Sequence, residues 1–476
     1  MDISSVIPSK SRSRGPIENL PIDVLREIFT LCLPRIPLDD AFQPNLHEAP
    51  MLLCHICSFW RMVALTTPTL WNRLTYCFTV HQTTPQFGSW AFLEDQVEFV
   101  RWWQANHESI APFLTISSDI VYSGYERDTV QEWVPVEEID HFLEDYFMTA
   151  QYLDLDGFFW SRILKRAEGL GHDGYCFPNL HTVVERLSWG QLALPFLGPT
   201  LDKHPSRVRR LHVADTKLRF NDDTDINLWN WTSLTHISFV NVSMTPEFIL
   251  TLLSAVPNLQ WGHFDIGEWY ELDDYKPVKY TLSHLHTLCI SLCDEHCLTT
   301  LSLSSLFSRL HFRILDTLVL FSSSDSWRDH RAATELSTIL MSAPNLMTLG
   351  LLGCFLSFGS NETEPLWKYT PKLTHLEIET TAFTQQNNIS TAEVDAYISD
   401  VFSRNNGWFD LTHPACPIHD IAVNIVGLSG DLKRVAEARF RDLNENVNVP
   451  NIGFQLSSRS MFDEIGAELR EWSMLN

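Results

Sequence analysis

The sequence predicts an α/β protein in which a small helical module precedes a curved solenoid, with parallel strands on the inside and helices on the outside. Two observations predict this fold class. An apolar stripe with helical spacing begins at Leu20, and a short apolar word recurs between residues 180 and 380. With 476 residues, 45% of them hydrophobic, the chain is long enough to bury more than one core.

The recurring word is an apolar residue, two variable positions, a second apolar residue, one variable position and a third apolar residue. Its clear members are Val208/Leu211/Val213, Leu234/Ile237/Phe239, Leu285/Leu288/Ile290, Leu315/Leu318/Leu320, Leu346/Leu349/Leu351 and Leu373/Leu376/Ile378, with Leu180/Val183 and Leu259/Phe264 as weaker ones. The first positions, 180, 208, 234, 259, 285, 315, 346 and 373, are spaced by 28, 26, 25, 26, 30, 31 and 27 residues. This period resembles that of leucine-rich repeats, in which strands and returning helices bury their apolar faces only when neighbouring units stack.

Helix signals fall between and after these words. Thr245-Pro246 opens one predicted helix with Phe248, Leu252, Leu253 and Val256 facing inward, and Ser390 with Glu393 forms a predicted capping box. Ile421-x-Val423-x-Ile425 predicts a last strand, and the amphipathic stretches 431–443 and 460–472 could cover the end of the stack. Before the repeats, Phe113 to Ile116 predicts a strand and Leu153-x-Leu155 a degenerate repeat strand.

The N-terminal stripe predicts three short helices. Val24, Leu25, Ile28 and Phe29 share one face of a first helix that Pro21 can open. A second helix is predicted from Pro50 to about Leu65, and a third from Thr67-Pro68, with Leu70, Trp71 and Leu74 on its buried side.

Three sequence words in this module carry a resemblance to a known family. They are Leu20-Pro21-x-Asp23-Val24-Leu25-x-x-Ile28-Phe29, Cys57-x-x-Trp60-Arg61 and Thr67-Pro68-x-Leu70-Trp71. In that order, over roughly residues 17–78, they resemble the F-box-like domains abundant in mushroom-forming fungi. The linker from Pro34 to Pro50 is longer than in a compact F-box.

The F-box resemblance implies a helical plug that docks into a Skp-type adaptor and, through it, a cullin, in an SCF-type ubiquitin ligase. Carried over to this chain, the adaptor-binding residues would be Leu20, Pro21, Val24, Leu25, Ile28, Leu53, Trp60, Leu70 and Trp71. Trp60 and Trp71 would be packing anchors with a partly exposed edge.

The expected domain order has five segments. They are a flexible tail at 1–16, an F-box-like domain at 17–78, a linker, N-terminal cap or degenerate first repeats at 79–175, a leucine-rich-repeat solenoid at 176–428, and a C-terminal helical cap at 429–476.

The repeat register also predicts a ligand-binding surface, because residues that alternate with the buried ones point to the concave side of a solenoid. Its members are Arg186, Arg210, His212, His236, Trp261, His263, Asp265, Phe321, His375, Glu377 and Glu379. An aromatic centre between opposite charges suits a protein or peptide substrate. Two alternatives stay open: the face has no dedicated ligand, or the convex loops bind instead.

Composition narrows the class of partner and the compartment. The chain carries 34 basic and 59 acidic residues, a net charge of −25, which argues against nucleic-acid binding through phosphate neutralisation. There is no run of 18 apolar residues and no apolar signal segment near Met1, so we expect no membrane partner and a cytoplasmic and/or nuclear location. Ten irregularly spaced cysteines suit reduced thiols better than a disulfide framework.

Chemical motifs are weak throughout. Gly169-x-Gly171-x-x-Gly174 lacks the preceding strand that a dinucleotide site needs, and it reads as a loop. The groups Cys54/His55/Cys57 and Cys289/Cys293/His296/Cys297 have simpler explanations as helix and repeat-strand residues than as zinc ligands. We therefore predict no metal, no cofactor and no enzymatic activity in the chain itself.

Two functions follow from these observations. The first is a substrate-recognition subunit that holds a Skp-type adaptor with the N-terminal module and an unknown protein substrate with the repeats. The alternative is a scaffold or recognition protein that never enters a ligase, and whose N-terminal helices only cap the solenoid.

Overall fold

The structure is a computed structural model, and it divides the chain into two compact units, Met1–Leu153 and Asp154–Asn476. It describes residues 20–33, 47–71, 73–81, 102, 113–121, 152–156, 180–186, 208–214, 219–220, 231–240, 242–244, 246–266, 279–292, 303–322, 331–353, 365–380, 390–395, 398, 415–425, 430–446 and 453–456. The predicted tail at 1–16 and the predicted helix at 460–472 lie outside the described residues, as do the Gly169 to Gly174 motif and most of the segment 79–175.

The first unit begins with three short helices. These are α1 (Ile22–Leu31), α2 (Met51–Ile56) and α3 (Ser58–Leu65), followed by a 3-10 turn at Pro68–Leu70. Strand β1 (Arg73–His81) then pairs in parallel with β2 (Phe113–Val121), with Arg73 opposite Phe113 and His81 opposite Val121. Strand β3 (Tyr152–Asp156) spans the boundary between the two units.

Apolar side chains from all three helices and the turn are buried in the first unit. Leu25 and Phe29 of α1 are fully buried, and the Phe29 ring lies 4.8 Å from that of Trp60. Trp71 is also fully buried, and its Nε1 donates a hydrogen bond to the carbonyl of Ala64 over 2.9 Å. Each such side chain contributes about 1.5 to 3 kcal/mol when removed from water, so these contacts hold the short helices together.

The predicted second and third helices differ from the observed elements. The predicted helix from Pro50 to Leu65 is two helices, because Cys57 adopts an extended backbone (φ −158°, ψ 168°) and its Sγ accepts a hydrogen bond from the N–H of Trp60 over 3.4 Å. The third helix is only the Pro68–Leu70 turn, and Leu74 lies in β1. The predicted domain boundary at residue 78 thus falls inside a strand.

The second unit contains a sheet of ten parallel strands in chain order. They are β4 (Thr182–Arg186), β5 (Arg210–Ala214), β7 (His236–Val240), β9 (Trp261–Ile266), β11 (Thr287–Leu292), β13 (Thr317–Ser322), β14 (Thr348–Gly353), β15 (His375–Thr380), β16 (Asp420–Ile425) and β17 (Gly453–Leu456). Two small parallel pairs join β6 (Arg219–Phe220) to β8 (Ser243–Met244) and β10 (Tyr280–Leu282) to β12 (Leu310–Phe312). The helices between and after them are α4 (Pro246–Ala255), α5 (Leu303–Ser308), α6 (Arg331–Ser342), α7 (Leu366–Tyr369) and α8 (Gly430–Asn446).

The strand register aligns the predicted repeat words. Leu288, Leu318, Leu349 and Leu376 form one row across neighbouring strands, and Ile290, Leu320, Leu351 and Ile378 form another. Every side chain in the six clear words is buried. The second unit is therefore a parallel-strand solenoid with some helices, which is compatible with the predicted α/β repeat solenoid.

Gly262 explains why the Leu259/Phe264 word is weak. It occupies the row position that Leu288 fills in the next strand, and the Phe264 side chain fills the missing volume. A Cβ on Gly262 would come within 2.7 Å of Phe264 Cε2, so a larger residue at this position would have to displace the Phe264 ring.

Several predicted helix features are also confirmed. Phe248, Leu252, Leu253 and Val256 at α4 are all buried. The backbone N–H of Ser390 donates to Glu393 Oε2 over 2.7 Å, while the N–H of Glu393 donates to Ser390 Oγ over 3.3 Å, which is the predicted capping box. The Ser390 N–H and the Ser390 hydroxyl both donate to the Glu393 carboxylate, and these bonds lower the pKa of that carboxyl.

The predicted last strand and the helix that follows it are both present. Strand β16 (Asp420–Ile425) contains Ile421, Val423 and Ile425, and α8 buries Leu432, Ala436 and Phe440 at four-residue spacing. Helix α8 contacts β17, the terminal strand of the sheet. No helix in the described part of the chain is long and apolar enough to cross a membrane.

Two asparagine side chains each connect a repeat to the one before it, and these bonds were not predicted from the sequence. Asn258 Nδ2 donates to the carbonyl of Thr232 over 2.8 Å, and Asn345 Nδ2 donates to that of Arg313 over 2.9 Å. Both asparagines stand in a Pro-Asn-Leu sequence directly before the first apolar position of a repeat. These bonds could have been predicted from that recurring tripeptide.

Candidate interaction surfaces

An exposed apolar stripe runs along α1, beside the buried stripe of the same helix. Val24, Ile28 and Leu31 are 45%, 37% and 78% exposed and follow one another at spacings of four and three residues, and Leu20, two residues before the helix, is 36% exposed. Side chains at such spacings lie on one helix face. Here that face is presented to solvent, which is typical of an interaction surface.

The nine predicted adaptor-binding residues separate into two groups. Leu20, Pro21, Val24 and Ile28 are exposed, and Trp60 is half-buried. Leu25, Leu53, Leu70 and Trp71 are buried in the first unit, so their side chains are not available to a partner in this structure. For Trp71, the predicted exposed edge is wrong, because its ring is enclosed and its Nε1 hydrogen-bonds Ala64.

Further exposed apolar side chains on this unit were missed by the sequence analysis. Besides Leu31, they are Ile22, Leu52, Ile56 and Met62. These side chains could have been identified from the sequence, because they are large apolar residues that do not belong to the buried stripe of their helices. A helix that is apolar on more than its core face is expected to find a partner.

A polar cleft lies between α1 and the turn that follows α3. It has a volume of about 520 Å³ and is lined by Asp23, Arg26, Glu27, Thr30, Thr66, Thr67, Pro68 and Thr69. Arg26 Nη1 lies 3.4 Å from Asp23 Oδ1, and Arg26 Nη2 donates to the carbonyl of Thr66 over 3.5 Å. This cleft could not be predicted from the sequence, because its two sides are 40 residues apart in the chain.

In the second unit, the predicted ligand-binding residues lie on the face of the sheet opposite the repeat rows, which we call the second face. His375 is exposed, and Arg210, His212, His236, Phe321 and Glu377 are half-buried. Arg186 lies in β4 opposite Ala214, and its side chain lies outside the described residues. These positions agree with the predicted alternation.

The middle of the second face is buried, which corrects the prediction of an exposed aromatic centre. Trp261, His263 and Asp265 are buried rather than presented to a ligand, and so is Glu379 at the β15 end of the face. Trp261 belongs to an apolar cluster with Cys289, Val319 and Leu352, against which Phe321 packs. The burial results from apolar residues on the adjacent strands. The alternation within a single strand does not show these neighbours, so it could not predict the burial.

Three ionisable side chains lie in this buried middle. His263 Nε2 is 3.4 Å from Asp265 Oδ1, and Cys289 is the register partner of His263 on the next strand. Burial alone favours the neutral ring, but the neighbouring Cys289 and Asp265 side chains outweigh it and raise the pKa of His263 to about 10. Burial disfavours a charged ring, but the negative charge of a neighbouring carboxylate compensates the positive charge of the imidazolium.

The two ends of the second face differ in charge. At one end, burial and the nearby Arg210 guanidinium lower the pKa of His236 to about 4, so its ring is neutral at pH 7. At the other end, His375 Nε2 lies 3.2 Å from Asp420 Oδ2, and Asn424 Nδ2 donates to Glu379 Oε2 over 2.8 Å. Arginine thus lies near one end, and carboxylates predominate at the other.

The cysteines weighed as zinc ligands have structural positions. Cys57 caps α3, and burial raises the pKa of the Cys54 thiol, against the opposing effect of Arg61, so Cys54 stays protonated and poorly nucleophilic. Cys293, His296 and Cys297 lie outside the described residues. Within the part of the chain that the structure describes, no three His, Cys, Asp or Glu side chains are placed to hold a metal ion.

No protein-family model and no curated protein matches the chain. The F-box-like and leucine-rich-repeat resemblances therefore rest on the sequence words and spacings themselves.

Proposed function

We propose that this protein is the substrate-recognition subunit of an SCF-type cullin ubiquitin ligase. Its first unit would bind a Skp-type adaptor, and its second unit would bind a protein substrate. The ligase chemistry would belong to the partners, and the complex would act in the cytoplasm or nucleus. The order of the three F-box-like words supports the first contact, and a leucine-rich-repeat solenoid would serve the second.

The exposed apolar stripe of α1 is the observation that carries the proposal. The stripe coincides with the Leu-Pro-x-Asp-Val-Leu word, which is where the F-box resemblance places the adaptor contact. A ten-residue helix that presents three large apolar side chains of the stripe, with Leu20 just before its first turn, fits the helix-in-groove type of recognition. Each of these side chains contributes up to about 1.5 to 3 kcal/mol if a partner buries it fully.

Substrate binding is proposed for the accessible ends of the second face. Arg210 and His212 lie near one end, and His375 and Glu377 lie near the other. An extended protein segment with complementary charges could contact both ends, whereas the buried middle contributes rigidity. This revises the predicted surface by removing four buried residues from direct contact, namely Trp261, His263, Asp265 and Glu379.

Binding to the adaptor distinguishes this function from the scaffold alternative. Full-length protein would be titrated with a purified fungal Skp-type adaptor by calorimetry, and a dissociation constant in the micromolar range or tighter is expected. The double variant Val24→Asp/Ile28→Asp should lose binding. Met341→Asp, which changes an exposed apolar side chain on α6, should bind like the wild type. If the folded wild type does not bind the adaptor, the scaffold function is the better one.

A further inference from the structure

The polar cleft borders the exposed apolar stripe, which gives this part of α1 two different chemical surfaces side by side. Asp23 and Glu27, spaced by four residues, line the cleft. Glu27 is three residues after Val24 and four before Leu31, so its carboxylate is a neighbour of both apolar side chains on the helix surface. A partner that covers the stripe would therefore also meet this carboxylate.

One charged side chain of the cleft has partners on its walls, and another makes no ion pair with a described residue. Arg26 shares its guanidinium between the Asp23 carboxylate and the Thr66 carbonyl. Glu27 is exposed and makes no ion pair with any described residue. Two carboxylates and one guanidinium leave the cleft with a net charge of −1, and the threonine side chains on its walls add hydroxyl oxygens that can accept hydrogen bonds.

We propose that the adaptor segment that covers the apolar stripe is an amphipathic helix that also places a lysine or arginine side chain in this cleft, beside Glu27. The inference rests on the proposed function, and it adds the chemistry of the contact. An ammonium or guanidinium group would pair with Glu27 and donate to the threonine oxygens, and such charge-assisted bonds favour one orientation of the partner helix. The apolar stripe alone would not fix that orientation.

The test compares the salt dependence of adaptor binding for the full-length wild type and two variants at Glu27. Calorimetry at about 50 and 500 mM salt would be run on the wild type, Glu27→Gln and Glu27→Lys, because exposed charge contacts are screened over this range. Glu437→Lys is the matched control, since it reverses an exposed carboxylate on α8 in the second unit. Circular dichroism would confirm that each variant is folded.

At low salt, Glu27→Lys should weaken binding about tenfold or more, Glu27→Gln should weaken it by a smaller factor, and both should flatten the salt dependence. Glu437→Lys should bind like the wild type. If Glu27→Lys binds within twofold of the wild type with the same salt dependence, while Val24→Asp/Ile28→Asp does not bind, the cation contact is wrong and the adaptor function stands. If the wild type itself does not bind, both are wrong.

Discussion

Asn345 donates a hydrogen bond from Nδ2 to the backbone carbonyl of Arg313, 32 residues earlier in the chain and one repeat away in the solenoid. Asn258 makes the corresponding bond to Thr232. Each of these side chains satisfies a carbonyl just before a strand begins, where the regular pairing of the sheet has not yet started. The asparagines therefore link successive repeats at the points where the strands begin.

Replacing Asn345 with Ala should destabilise the second unit by about 1 to 2 kcal/mol, because the Arg313 carbonyl loses its hydrogen-bond partner. The free energy of unfolding would be measured by urea denaturation followed by tryptophan fluorescence. Gln260→Ala, at another exposed amide side chain, is the control and should change stability by less than about 0.5 kcal/mol. Equal effects of the two variants would mean that the Asn345 bond does not link the repeats.

Gly262→Ala should destabilise the same unit by about 1 to 3 kcal/mol, because its new Cβ would overlap the Phe264 ring. The double variant Gly262→Ala/Phe264→Leu should be more stable than the sum of the two single changes, since the smaller side chain makes room for the methyl group. Strict additivity of the two changes, measured in the same urea experiment, would contradict the packing of Phe264 over Gly262.

The buried His263 and Asp265 pair predicts how stability depends on pH. The folded-state pKa of His263, about 10, is above its ordinary value of 6.5, so the folded protein holds a proton that the unfolded chain releases. The stabilisation is complete below about pH 6.5 and is lost as the pH rises towards 10. Wild-type stability should therefore fall over this range by up to about 1.4 kcal/mol per pH unit more than that of His263→Gln.

Urea denaturation of both proteins between pH 6.5 and 10 would measure this difference. Taking the difference cancels the titration of groups shared by the two proteins, although Cys289 lies beside the ring and can respond to its removal. Cys289→Ala would therefore be compared in both backgrounds. Parallel pH curves for the wild type and His263→Gln would show that His263 is not held in its charged form.

The repeat rows could be predicted from the sequence because burial on that face depends on each strand's own alternation. Leu288, Leu318 and Leu349 recur at a nearly constant period, and stacking such units leaves little choice of register. The capping box of Ser390 and Glu393 was equally local. Features that are determined within one segment of the chain could thus be predicted from the sequence.

The second face could not be predicted in the same way, because its exposure depends on neighbouring strands. His263 reads as a polar surface residue in its own strand, yet it is buried beside Cys289. On α1, Val24 and Leu25 are adjacent in sequence and both apolar, but only Leu25 is buried. Periodicity identified the helix without telling which of two neighbouring stripes faces inward, since that depends on partners such as Trp60.

The decisive experiment is assembly of the full-length protein with a purified fungal Skp-type adaptor and the adaptor-binding part of its cullin, followed by size-exclusion chromatography. We expect the wild type to elute with both partners as one complex, and Leu20→Ala/Pro21→Ala to elute separately while staying folded. Elution of the folded wild-type protein apart from an intact complex of adaptor and cullin would contradict the proposed role in a ubiquitin ligase.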